Sequence, residues 1–76
     1  MQHPSWMSPE AWERLAPVLR AQPAHAADAL SDLRAVTRCW DAKRRAWLVR
    51  RVADLGRLGT PLPAALMLAL GEVLDD

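Results

Sequence analysis

The sequence predicts an all-α fold, a compact bundle of about four short helices. Three observations predict it. The 76 residues include no Phe, no Tyr and few β-branched residues, and they show no period-two alternation, so strands lack support. Apolar residues recur three and four apart through most of the chain. Start and stop signals fall at regular intervals: Ser8-Pro9-Glu10, Pro23, Asp41, Gly56, Gly59 and Thr60-Pro61.

The first helix is expected from Ser8, a good N-cap, with Pro9 at the first helical position and Glu10 at the positive end of the helix dipole. Met7 before the cap is spaced to meet Trp12 as a hydrophobic staple. Trp12, Leu15, Ala16 and Leu19 share a face. Pro17 removes a ladder hydrogen bond, so a kink or restart is expected near it. Residues 1–7 are expected to be a flexible segment, leaving 8–76 as a single helical domain.

The second helix starts near Pro23 and presents Ala26, Leu30, Leu33, Thr37 and Trp40 on one arc. The third is expected to start at Asp41, whose carboxylate can cap the following turn. No Pro or Gly enforces that break, so one long helix over 23–55 is the alternative. Gly56 and Gly59 stop the third helix. Thr60 as cap and Pro61 in the first turn start the fourth, which runs to about Leu74. The expected core is Trp12, Leu15, Leu19, Leu30, Leu33, Trp40, Val52, Leu66 and Leu70.

The fourth helix is apolar on every side, with no charge from Leu58 until Glu72. Such a helix has to be covered all round, and a chain this short buries only about 60% of its unfolded surface. Two readings follow. It is the central post of the bundle, touching the other three helices. Otherwise Leu62, Leu66, Ala69, Leu70 and Val73 form an exposed stripe for a homodimer or another partner.

The third helix carries the functional signal. Lys43, Arg44, Arg45, Arg50 and Arg51 lie within nine residues that contain no acid. At about 100° per residue, Trp47 falls inside the arc of Lys43, Arg44, Arg50 and Arg51, opposite Leu48, Val49, Val52 and Leu55. An indole ringed by cations has three readings. It packs at the bundle edge under arginine stems, anchors a contact with an acidic protein surface, or stacks on an unpaired base while the cations meet phosphates. Arg45 falls in the core arc, so it is expected to snorkel, pair with Asp28 or Asp32, or sit at an interface.

Catalytic and metal chemistry find no support in the residues. His3, His25 and Cys39 match no metal-ligand spacing, and His25 and Cys39 are ~20 Å apart on a continuous helix. Gly56-Arg57-Leu58-Gly59 lacks the length and the lysine of a phosphate loop. The expectation is a non-enzyme without cofactor or metal. One cysteine fits a reducing compartment. No signal segment follows Met1, and the longest uncharged run is too short for a bilayer. The expected location is therefore the cytoplasm, with no membrane partner. Nine arginines to one lysine, with abundant Ala and Leu, look like a GC-rich bacterial or phage gene.

Lys43-Arg44-Arg45-Ala46-Trp47-Leu48 and Arg51-Val52, ending at Gly56 or Gly59, resemble small helical proteins of bacteriophages and other mobile elements. Some of those carry an Arg-Arg-x-aromatic-Leu stretch before a glycine. The resemblance covers roughly a third of the chain. It implies a small binder that inhibits a bacterial host machine, as anti-CRISPR proteins do, and it brings no site residues with it. The leading expectation is therefore a non-catalytic protein-binding module acting through Trp47, Lys43, Arg44, Arg50 and Arg51. The alternatives are a small nucleic-acid-binding protein using the same face and a structural homodimer.

Overall fold

The computed structural model describes residues 3–74 and places them in four helices: α1 (Pro9–Ala21), α2 (Pro23–Val36), α3 (Ala42–Arg57) and α4 (Leu62–Leu74). The fold is all-α, as the patterning requires. The main packing contacts close a ring, α1 on α2, α2 on α4, α4 on α3 and α3 on α1. Leu15, Leu19, Leu33, Leu48, Val49, Val52 and Leu62 fill its centre. Trp12, Leu30, Trp40 and Leu70, also expected in the core, lie half-buried on its rim.

Each helix begins and ends for a local reason. The Ser8 hydroxyl accepts from the Ala11 amide at 3.2 Å, and the Asp41 carboxylate accepts from the Arg44 amide at 2.7 Å. No restart occurs at Pro17: α1 runs unbroken through it to Ala21, and the proline lies on the exposed side. The chain breaks instead at Gln22, the residue before Pro23, which proline disfavours in helical geometry.

The long-helix alternative over 23–55 is overturned. α2 stops at Val36, where buried Thr37 turns its hydroxyl back onto the Leu33 carbonyl at 2.7 Å, and a turn over Thr37–Cys39 precedes α3. At the far end of α3, Gly59 takes φ 100°. The Thr60 amide then reaches the Leu55 carbonyl and the Gly59 amide the Gly56 carbonyl, closing a Schellman motif.

Of the segment 1–7, expected to be flexible, residues 1–2 lie outside the described residues and 3–7 lie against the bundle: Met7 is buried, Trp6 packs on the core, and the Met7 amide bonds the Pro4 carbonyl. Apolar side chains this large gain more by covering α1 than by remaining in water. The stripe Leu62, Leu66, Ala69, Leu70 and Val73 is not an exposed surface. Leu62, Leu66 and Ala69 are buried, and Leu70 and Val73 are half-buried against the core. Those residues form the inner face of α4, packed chiefly on α2 and α3. Among the described residues, no helix is long and apolar enough to cross a membrane.

Candidate functional site

The sequence places Trp47 on the polar side of α3, and the structure finds it there, 38% exposed, between buried Leu48 and half-buried Ala46. The ring is neither free nor covered. With Asp41, Lys43, Arg44, Arg50 and Val73 it lines an open groove of about 380 Å³. It also lines a second depression, formed with Arg14, Arg50, Arg51 and Asp54. The indole thus faces solvent in part, as its angular position predicts.

The five cations clustered over Lys43–Arg51 of α3 separate into three roles. Arg51 meets Glu72 of α4 in a bidentate pair, Nε to Oε2 at 2.8 Å and Nη2 to Oε1 at 2.9 Å. This fork-on-carboxylate geometry ties α3 to the end of α4. The hydrogen bond from Arg51 holds the Glu72 carboxyl below its ordinary range, and the same bond, with the charge of Glu72, holds Arg51 above its own. Arg50 reaches Glu10 of α1 at 3.4 Å, and Asp54 lies 3.9 Å from Arg14. These exposed pairs are worth little stability singly. Their effect is to draw Arg50 and Arg51 toward carboxylates of this same chain.

Lys43 and Arg44 remain. Among the described residues neither side-chain cation has a carboxylate oxygen within 4.0 Å. The Arg44 guanidinium lies 6.0 Å from the Trp40 ring centroid, at the outer reach of a cation–π contact. Together with exposed Asp41, they line the groove beside Trp47.

Arg45 belongs to the architecture instead. It pairs with neither Asp28 nor Asp32. Its Nη2 donates to the Thr37 and Trp40 carbonyls, both at 3.1 Å, and its Nη1 to the Trp6 carbonyl at 3.3 Å. A helix end leaves carbonyls without intrahelical partners, and a guanidinium presents several donors in one plane. One side chain therefore ties the end of α2, the turn after it and the N-terminal segment together. Its place in the core arc was the only sequence sign of this.

Four residues around Trp47 and its cations lay outside the sequence prediction. Val73 was assigned to another patch, and Asp41 was read only as a cap. Arg14 and Glu10 come from α1, more than 30 positions away along the chain. Helical periodicity orders residues within a helix and is silent about which helix comes alongside. Among the described residues, no group of three His, Cys, Asp or Glu side chains is placed to hold a metal ion. Compared with protein-family models, curated proteins and solved structures, the chain matches none.

Proposed function

We infer that this protein is a non-catalytic protein-binding module that docks on an acidic partner surface through the Trp47 groove. The observation that carries this reading is the part-exposed indole in an open groove that Lys43 and Arg44 also line. A tryptophan already held on one side by its own fold surrenders little conformational freedom on binding. It offers a large apolar area to a partner, the combination that makes Trp an interface anchor. Lys43 and Arg44 supply steering and orientation toward a negative surface. The protein acts by occlusion, in the manner of the phage-type inhibitors of bacterial complexes that the Arg-Arg-Ala-Trp-Leu stretch resembles, in the cytoplasm of a bacterial host.

Nucleic acid is the competing ligand for this face. The ion pairs of Arg50 with Glu10 and Arg51 with Glu72 weigh against it. A phosphate backbone would have to displace those carboxylates or bind beside them, and its affinity would fall steeply with salt.

The test is capture from bacterial lysate on immobilised protein, with and without nuclease, beside Trp47→Ala and a Lys43→Glu/Arg44→Glu variant. The expected result is a discrete protein that survives nuclease and moderate salt and is lost with either variant. Circular dichroism of both variants should remain helical. Capture that disappears with nuclease, or that both folded variants retain, overturns the reading.

A further inference from the structure

The outward side of α4 is a second surface, independent of the Trp47 groove. By helical position, Pro63, Ala64, Met67, Leu68, Gly71 and Leu74 form one continuous arc opposite the buried Leu62, Ala65, Leu66 and Ala69. No residue in that arc is polar. Met67 is 75% exposed, Leu68 56% and Leu74 82%. A surface helix ordinarily carries charge there, and contiguous apolar surface of this kind marks an interaction site.

We propose that this face is where two copies of the chain associate, α4 against α4 in antiparallel register about a two-fold axis passing between Met67 and Leu68. The arc is self-complementary about that point. Met67 of one copy meets Leu68 of the other, and Ala64 meets Gly71, so large faces large and small faces small. An isologous contact requires this symmetry.

Gly71 supplies independent support. A glycine in a helix interior is less stable than alanine there by about 1 kcal/mol. A Cβ on Gly71 would meet nothing within 4 Å, so packing inside the monomer gives no reason for the missing side chain. Close approach of a second helix does, because interaxial distance is set by the side chains at the crossing.

Charge favours the antiparallel direction and a second copy over an unrelated partner. Arg57 is exposed just before the turn into α4. Among the described residues it has no carboxylate within 4.0 Å. Glu72 is exposed in the last turn of α4. Antiparallel pairing directs the Arg57 end of each α4 toward the Glu72 end of the other and opposes the two helix dipoles. Parallel pairing would set like against like. A single pair of 13-residue helices makes a small interface, so the equilibrium is expected in the micromolar range or weaker.

Sedimentation equilibrium from about 1 μM to 1 mM tests this. The wild-type chain should pass from monomer to dimer mass and stop there. Met67→Glu and Leu68→Glu should each hold the monomer mass throughout, with unchanged helicity at low concentration. Gly71→Ala should dissociate the dimer by roughly tenfold or more while leaving the monomer at least as heat-stable. Arg57→Glu should weaken dimerisation several-fold. A wild-type monomer at the highest concentration overturns the proposal, whether or not the protein then sediments with lipid vesicles or another protein. So does a dimer indifferent to both glutamate variants, a dimer unaffected by Gly71→Ala, or one tightened by Arg57→Glu.

Discussion

The side-chain amide of Gln22 grips the first turn of α4 at Leu62: its Oε1 accepts from the Leu62 amide at 2.8 Å while its Nε2 donates to the Thr60 carbonyl at 3.0 Å. Both halves of one amide are thus spent on a segment about forty residues away. The first amides of a helix have no partner of their own. Here the cap comes from another part of the chain, the residue between α1 and α2, and not from Thr60 as the sequence suggested.

Replacing Gln22 by Leu should therefore cost more than a loop substitution ordinarily does. Two polar groups at the start of α4 lose their partner together, and each part-buried group left unsatisfied costs about 1–3 kcal/mol. Gln22→Glu keeps the acceptor for Leu62 but loses the donor to Thr60 and should fall between the two. Urea denaturation of the three proteins checks the order. A Leu variant as stable as wild type would show the clamp to be incidental.

Gly56 and Val18 give a second prediction. A Cβ at Gly56 would overlap the Val18 Cγ1 methyl of α1. Val18 is buried and stiff about χ1, so it has no easy escape. Gly56→Ala, which in an open helix is stabilising, should here cost about 1–3 kcal/mol as overpacking. Val18→Ala alone should also destabilise. In the double variant the two losses should be less than additive, because the new methyl fills the space the valine vacates. Thermal melts of the four proteins complete the cycle, and simple additivity would refute the contact.

Arg45 carries a third. Arg45→Met retains most of the stem and removes the donors for the Thr37, Trp40 and Trp6 carbonyls. Stability should fall by about 1–3 kcal/mol. Amide exchange should rise at Met7, whose segment the guanidinium holds in place. Arg45→Lys should recover little, since an ammonium lacks the planar fork that reaches several carbonyls at once. Full recovery by lysine would mean that charge, and not geometry, is what this position supplies.

These residues also mark the limit of what the chain made legible. Helix starts at Ser8 and Asp41, the stop at Gly59 and the inward faces of α1 and α3 all follow from local chemistry, and all were readable. The position of Trp47 followed from angle alone. What escaped depends on neighbours. Gln22, Arg45 and Gly56 look ordinary until Leu62, the Trp6 carbonyl and Val18 are set beside them. The inner and outer sides of α4 could not be told apart, because a helix apolar all round carries no periodic signal. The stripe chosen for a partner was the one the core uses. The Trp47 surface was likewise only half visible: its cations were evident, but their division between carboxylates of the same chain and solvent required the positions of Glu10 and Glu72.

That division makes stability depend on pH through Glu72. Its carboxyl is held below the ordinary range, first by the hydrogen bond from Arg51. The unfolded chain thus takes up a proton near pH ~4.3, before the folded one does. The contribution is fully present above that pH and is lost as pH falls through the lower folded value. Arg51 is raised, so its share would be lost only in strong alkali and adds nothing to the acid limb. Both groups are solvent-exposed, so the effect should be small and should shrink with salt. Glu72→Gln should lower the melting temperature slightly at pH 7 and not at all near pH 2. Its melting temperature should also fall less than wild type's between those values. A parallel acid limb in the two proteins would mean that the Arg51–Glu72 pair does not hold α4 to α3 in solution.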